Sequence, residues 1–302
     1  MKAVVLVTGA NGMLAKSLAK ELDGKYTLKF LTREVKGQNE FRWDIDMSYI
    51  DPEGLRDVNH IIHLAGSSIA EKRWTLKRKQ EIKTSRVDGA QLILEELKKN
   101  NQTIDTFISA SAIGYYGSLT TEEIFTEESP NGDDFLGEVC REWESVAHSF
   151  KTNHVANKIS ILRFGIILDR DGGALKKMLH PIMIGLGSGL GDGKQWVPWI
   201  HISDLCGMLS FMITHDSGGT YNGVAPEHVT NNEFTQEIAS VMKRKIILPN
   251  IPAFIIRILF GEMAVVLLAG SRVSSSKITG LGYNFKYSKL NDALRNLFTK
   301  KS

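Results

Sequence analysis

The chain opens on an apolar run, Ala3–Val7, that stops abruptly at Thr8-Gly9. Residues Met13 to Leu22 then place Leu14, Leu18 and Leu22 at helical spacing, with Ala15 and Ala19 beside them. A short continuous apolar run reads as a strand buried on both faces, and a period near 3.6 reads as an amphipathic helix. Thr27–Leu31 and His60–Leu64 predict further strands, and 76–99 a long helix with Ile82, Val87, Leu92, Ile93 and Leu97 as its apolar positions. Thr106–Ala110 and Ile159–Phe164 follow as strands. Strands alternating with helices imply parallel pairing through right-handed crossovers, that is, an α/β fold with a doubly wound parallel sheet. From about Thr230 the pattern becomes mainly helical, opening with a capping box of Thr230 and Glu233. The chain therefore divides, in expectation, into a nucleotide-binding domain over 1–228 and a small helical domain over 229–302.

Composition narrows the partners. The chain has 302 residues, 42% apolar and 24% charged, with a formal net charge of +3. This is ordinary for a globular protein, and the basic excess is too slight to point to nucleic acid. The most apolar stretch, Ile246–Ala269, is interrupted by Pro249, Asn250, Pro252, Arg257 and Glu262, so it does not read as a membrane span. The opening run is shorter than a signal-peptide core. Cys140 and Cys206 lie in no metal-ligand spacing, so no metal is expected and both read as free thiols in a reducing compartment. A cytoplasmic protein without nucleic-acid or membrane partners follows, either a monomer or a homodimer.

Glycine has addresses. Gly9 and Gly12 lie in Thr8-Gly9-Ala10-Asn11-Gly12-Met13-Leu14-Ala15, between the first strand and the first helix. Side-chain-free positions there let backbone N–H groups and a helix N-terminus reach a pyrophosphate, the signature of a Rossmann dinucleotide site. The second strand ends Leu31-Thr32-Arg33, with Arg33 about where an acid would hold the ribose 2′-hydroxyl of NAD. A cation there favours the 2′-phosphate of NADP, although Glu34 follows immediately.

These residues, with NHIIHLAG (59–66), SASAIGYYG (109–117), LRFGIIL (162–168) and WIHISDL (199–205), resemble the extended short-chain dehydrogenase/reductase superfamily. RWTLKRKQEIKTSRVDG (73–89), GDDFLGEVCREWE (132–144), PAFIIRILFGEMA (252–264) and GYNFKY (282–287) are similar to its YfcH-type branch of nucleoside-diphosphate-sugar epimerases, with that branch's C-terminal domain of unknown function. The resemblance implies cofactor contacts at Gly9, Asn11, Gly12, Met13 and Leu14 for the pyrophosphate, and at Thr32 and Arg33 for the adenosine phosphate. It also implies Leu64, Ala65 and Gly66 beside a ribose, and Ile167 as a wall near the nicotinamide. Arg86 replaces the superfamily's Asn and is expected to reach a phosphate or ribose oxygen. Glu81 is expected to bond a ribose hydroxyl or Arg86.

The catalytic pattern departs from the superfamily. Its Tyr-x-x-x-Lys pair places a phenol and a cation on one helix face, yet no tyrosine here has Lys four residues on, and Phe135 and Val139 occupy the two places. Ser111, Tyr115 and Tyr116 are the remaining candidates for proton transfer. Val197 stands where sugar-nucleotide enzymes carry a diphosphate-binding Arg. Trp196, Trp199 and the glycines from Gly185 to Gly193 suggest a flexible rim around an apolar pocket, with His201 and Asp204 as structural anchors. The expected function is an NADP-dependent oxidoreductase or epimerase-like enzyme acting on a small carbonyl or hydroxyl compound. The alternatives are a non-catalytic NADP(H)-binding regulator or scaffold, and a nucleotide-sugar epimerase with relocated catalytic groups.

Overall fold

A computed structural model describes residues 2–298. Its main sheet is built from β1 (Val4–Thr8), β2 (Thr27–Thr32), β3 (Glu40–Asp44), β4 (Tyr49–Ile50), β5 (His60–His63), β6 (Ile104–Ala112), β8 (Ala156–Phe164) and β11 (Gly219–Gly223). Three short strands lie between these in the chain: β7 (Ile124–Phe125), β9 (Ile166–Leu168) and β10 (Trp199–His201). A last strand, β12 (Arg272–Val273), pairs with β7, while β9 pairs with β10. Across the sheet the order is β11-β8-β6-β5-β1-β2-β3-β4, parallel throughout except for the β3–β4 edge. The direction of winding reverses between β1 and β5, and such switch points open a crevice at the carboxyl ends of the strands.

Alternate strand residues feed the two faces. Val5, Val7, Ile62, Ile108 and Leu162 pack under α1 (Met13–Leu22) and the helix Ile202–Thr214. Leu6, Ile61, Phe107 and Ile161 pack on the other face, under the helices Leu76–Lys99 and Phe135–Thr152. Each such side chain contributes about 1.5–3 kcal/mol by leaving water, which is why these strands carry unbroken apolar runs. The predicted capping box forms: Thr230 and Glu233 satisfy each other's backbone N–H at the start of Asn231–Val241. A third core joins Leu175, Leu179 and Trp199 to Phe234, Ile238 and Leu294, so residues on both sides of position 228 share one apolar cluster.

Candidate cofactor crevice and catalytic region

At the carboxyl end of β1 the backbone turns through Gly9, whose φ of +73° is left-handed. A Cβ there would also sit 3.2 Å from the backbone of Leu64 and Ala65, so glycine is required twice over. Gly12 precedes α1 and gives it no side-chain cap, and the first turn carries no acid. The opening N–H groups of the helix thus keep their capacity for an anion. Met13 lies against Gly172 and Gly173, beside Ile167, and Met13, Leu64 and Ile167 border the same core. Leu14 turns its side chain into that core, so only its backbone is available to the loop.

The two sides of the crevice are tied by residues that the sequence patterns did not single out. Buried Thr8 accepts the N–H groups of Leu64 and Ala65 at 3.0 Å each, through one hydroxyl. That hydroxyl lies 3.1 Å from His63 Nδ1, while His63 Nε2 lies 3.2 Å from the Arg86 carbonyl oxygen. A carbonyl only accepts, so Nε2 carries the proton and Nδ1 accepts from Thr8. Burial holds the His63 pKa down at about 4, keeping the ring neutral in this relay from strand to helix.

At the end of β2, Asn11 Nδ2 donates to the hydroxyl of buried Thr32 at 3.4 Å. Arg33, next in the chain, is exposed and makes no ion pair or hydrogen bond among the described residues, since Glu34 pairs with Lys36 instead. Gly66, exposed at the end of the β5 loop, faces Arg86: a Cβ on Gly66 would lie 3.1 Å from Arg86 Cζ. The expected Glu81–Arg86 pair does not form. Glu81 accepts from Arg78 Nη1 at 2.7 Å and Ser67 Oγ at 3.1 Å, because Arg78 stands one helical turn nearer the loop.

Around β6 the expected catalytic groups turn inward. Ser111 is fully buried and donates to Glu144 Oε1 at 2.6 Å. Arg163 grips the same carboxylate through Nε at 2.8 Å and Nη2 at 2.7 Å, and its Nη1 donates to Tyr116 Oη at 3.1 Å. Tyr116 Oη donates in turn to Asn222 Oδ1 at 2.6 Å, and burial pushes its pKa up to about 12. Ser111 and Tyr116 are therefore members of one buried hydrogen-bonded network with Glu144, Arg163 and Asn222. The tyrosine ring of Tyr115 covers Arg163, with Cζ 3.3 Å from its centroid, and Tyr115 is the member of the trio that stays partly exposed. Phe135 and Val139 pack with Trp74, Ile82, Leu136 and Met263, so an apolar cluster fills the places of the superfamily's phenol and cation.

The glycine-rich segment is no loose rim. Cβ atoms on Gly189 and Gly193 would lie 2.3 and 2.0 Å from Asn232 Oδ1, and Leu190 N donates to Asn231 Oδ1 at 2.8 Å, so the segment is docked on the 231–241 helix. Trp199 is fully buried in the third core, and Val197 is buried beside it. His201 caps the next helix by accepting from Ser203 N at 3.1 Å. Among the described residues, no cluster of three or more His, Cys, Asp or Glu side chains forms a metal site. No helix there is long and apolar enough to cross a membrane.

The NAD dependent epimerase/dehydratase family pattern matches residues 5–135, and a domain of unknown function matches 251–297. The epimerase family protein SDR39U1 homolog of Arabidopsis thaliana, named as chloroplastic, is 36% identical over 96% of this chain and 85% of its own length. The chain belongs to the SDR39U1 epimerase family. The mouse SDR39U1 protein is 31% identical over 97% of this chain and 99% of its own. The crystal structure of human SDR39U1 with NADPH superposes with a TM-score of 0.88 at 29% identity, covering 97% of this chain and 98% of that one. A nucleoside-diphosphate sugar epimerase from Corynebacterium glutamicum gives 0.79 at 28% identity, over 98% of this chain and 58% of that one. In this SDR39U1-family chain, the C-terminal match is tied to the helix Ile202–Thr214 by buried Asp204. Its carboxylate accepts the N–H groups of Lys286 at 2.7 Å and Tyr287 at 3.0 Å, and its backbone carbonyl accepts from Tyr283 Oη at 2.8 Å.

Proposed function

We propose that this chain binds NADP(H) in the crevice between β1 and β5 and uses it on a small carbonyl or hydroxyl compound, without a Tyr-x-x-x-Lys pair. The observation that carries the cofactor reading is the free, exposed guanidinium of Arg33 beside Asn11 and Thr32, at the end of a strand where the neighbouring acid, Glu34, pairs with Lys36. The fit of the crevice agrees, because a Cβ at Gly9 would fill the space beside the turn, and the human relative was crystallised with NADPH. When bound, this cofactor supplies hydride chemistry at its nicotinamide. The chain's own residues then do the remaining work. The Gly9–Leu14 backbone holds the pyrophosphate, Arg33 donates to the 2′-phosphate, and Ile167 excludes water on one side. With Ser111 and Tyr116 committed to Glu144 and Asn222, the proton for a substrate oxygen comes from Tyr115 or from water.

Replacing Arg33 by Asp tests the assignment. Loss of charge-assisted bonds and the gain of a like charge should weaken NADPH about 100-fold while leaving NADH within about threefold. Equal weakening of both cofactors overturns it. A second reading, an NADP(H)-binding regulator or scaffold that does not turn over, is favoured by the apolar cluster around Phe135 and Val139. Tight NADPH binding with no consumption across a panel of aldehydes and ketones selects that reading over the first.

A further inference from the structure

The C-terminal match builds a cavity that the cofactor reading leaves unused. The helix Ala253–Phe260 ends at Gly261, whose φ of +60° is left-handed and whose N–H donates to the Arg257 carbonyl. The chain then turns back through the short helices Gly261–Ala264 and Val265–Leu268. Between these pieces and Ser118 lies a cavity of about 480 Å³, the size of a small-molecule site. Val265, Leu268 and Ala269 give it an apolar lining, and Arg257 gives it a cation. Its walls are fixed from outside. Gln195 Nε2 donates to the Leu267 carbonyl at 2.9 Å, a Cβ on Gly191 would lie 3.1 Å from Leu268 Cδ2, and Arg73 Nε donates to the Leu259 carbonyl at 3.0 Å.

Arg257 is exposed, and its guanidinium makes no hydrogen bond or ion pair among the described residues. Glu262, on the same lining, is paired instead with Lys79 of the helix Leu76–Lys99. The Ser118 hydroxyl also has no partner among the described residues, while the Ser118 N–H is held by Asp134 Oδ2 at 2.8 Å. Ser118 stands two residues beyond the turn Ile113–Tyr116, so the cavity borders the turn that carries partly exposed Tyr115. A guanidinium takes a carboxylate through two parallel charge-assisted bonds. One cation balances one negative charge, whereas the diphosphate of a sugar nucleotide brings more than one. Position 197, where an Arg would share that load, is a buried Val.

We infer that this cavity takes the substrate, and that the substrate is a carbonyl or hydroxyl compound with an apolar body and a single carboxylate held by Arg257. The inference rests on the NADP(H) reading for its second reactant, so the cavity is tested both without cofactor and with it. The probe is benzoylformate, an aromatic keto acid, against its uncharged methyl ester. Each is titrated calorimetrically into the full chain, with and without saturating NADPH. The acid should bind about tenfold more tightly than the ester. Arg257→Ala should abolish that preference, weakening the acid about tenfold and leaving the ester within about twofold. The retained ester binding also shows that the variant is folded. Equal affinity of acid and ester in the wild-type chain, a preference that survives in Arg257→Ala, or no saturable binding of the acid overturns the inference. Failure of NADPH itself to bind, with the acid preference intact, removes the cofactor reading and leaves the carboxylate site standing.

Discussion

Between β1 and β5 the polar groups are left open, whereas two strands along, between β6 and β8, they are spent on one another. Arg33 and Arg86 have donors to spare, and the N-terminus of α1 has no cap. Arg163, by contrast, uses Nε, Nη1 and Nη2 on Glu144 and Tyr116, and Ser111 completes the same carboxylate. Both regions lie at the carboxyl edge of one sheet and both are rich in charge. The difference teaches that polar side chains at a crevice indicate a ligand only when their bonding capacity is unfilled. In the network between β6 and β8 the side chains already bond one another.

The comparison breaks most visibly at Glu144. Glu144→Ala leaves Arg163 buried without its counter-ion and Ser111 without its acceptor, and should cost about 3–5 kcal/mol of stability by urea denaturation. A loss below about 1 kcal/mol would mean that the network is solvated and open to ligands. A smaller effect follows from His63 on the crevice side. Its folded pKa, about 4, lies below the ordinary 6.5, so the unfolded chain takes up the proton first. Stability from this group is full above about pH 6.5 and is lost as pH falls toward 4, amounting to about 2–3 kcal/mol at pH 4.5. His63→Gln should flatten that part of the profile, and an unchanged slope would remove His63 from the relay. The smallest change is at Tyr116. Removing the hydroxyl in Tyr116→Phe should cost about 1–2 kcal/mol yet leave NADPH affinity as it was. A drop in NADPH affinity would place that phenol in the binding site.

The open region was also the legible one. Gly9, Gly12 and the apolar period of α1 are neighbours in the chain, and their spacing carries the geometry directly, so the loop and the helix Met13–Leu22 could be anticipated. Thr8 and His63 were not singled out, because their bonds cross 55 residues and neither belongs to a spaced pattern. The closed network was hidden for the same reason. Ser111, Glu144, Arg163 and Asn222 come from four separate elements, and what joins them is burial, which a sequence does not display for polar residues. Strand alternation offered one partial signal at Ser111, since Ser109 and Ser111 lie on the same face of a strand that is buried from Thr106 to Ser111. Trp199 misled through its neighbours: a tryptophan in a glycine-rich stretch reads as rim, but it belongs to β10 and to the third core.

The central claim is that the open side of this comparison is an NADP(H) site read by Arg33. Titrating NADPH and NADH separately into the wild-type chain, with tryptophan fluorescence as the signal, tests it most directly. The account predicts that NADPH binds at least ~30-fold more tightly than NADH. Equal affinities, or no saturable binding of NADPH, would contradict it.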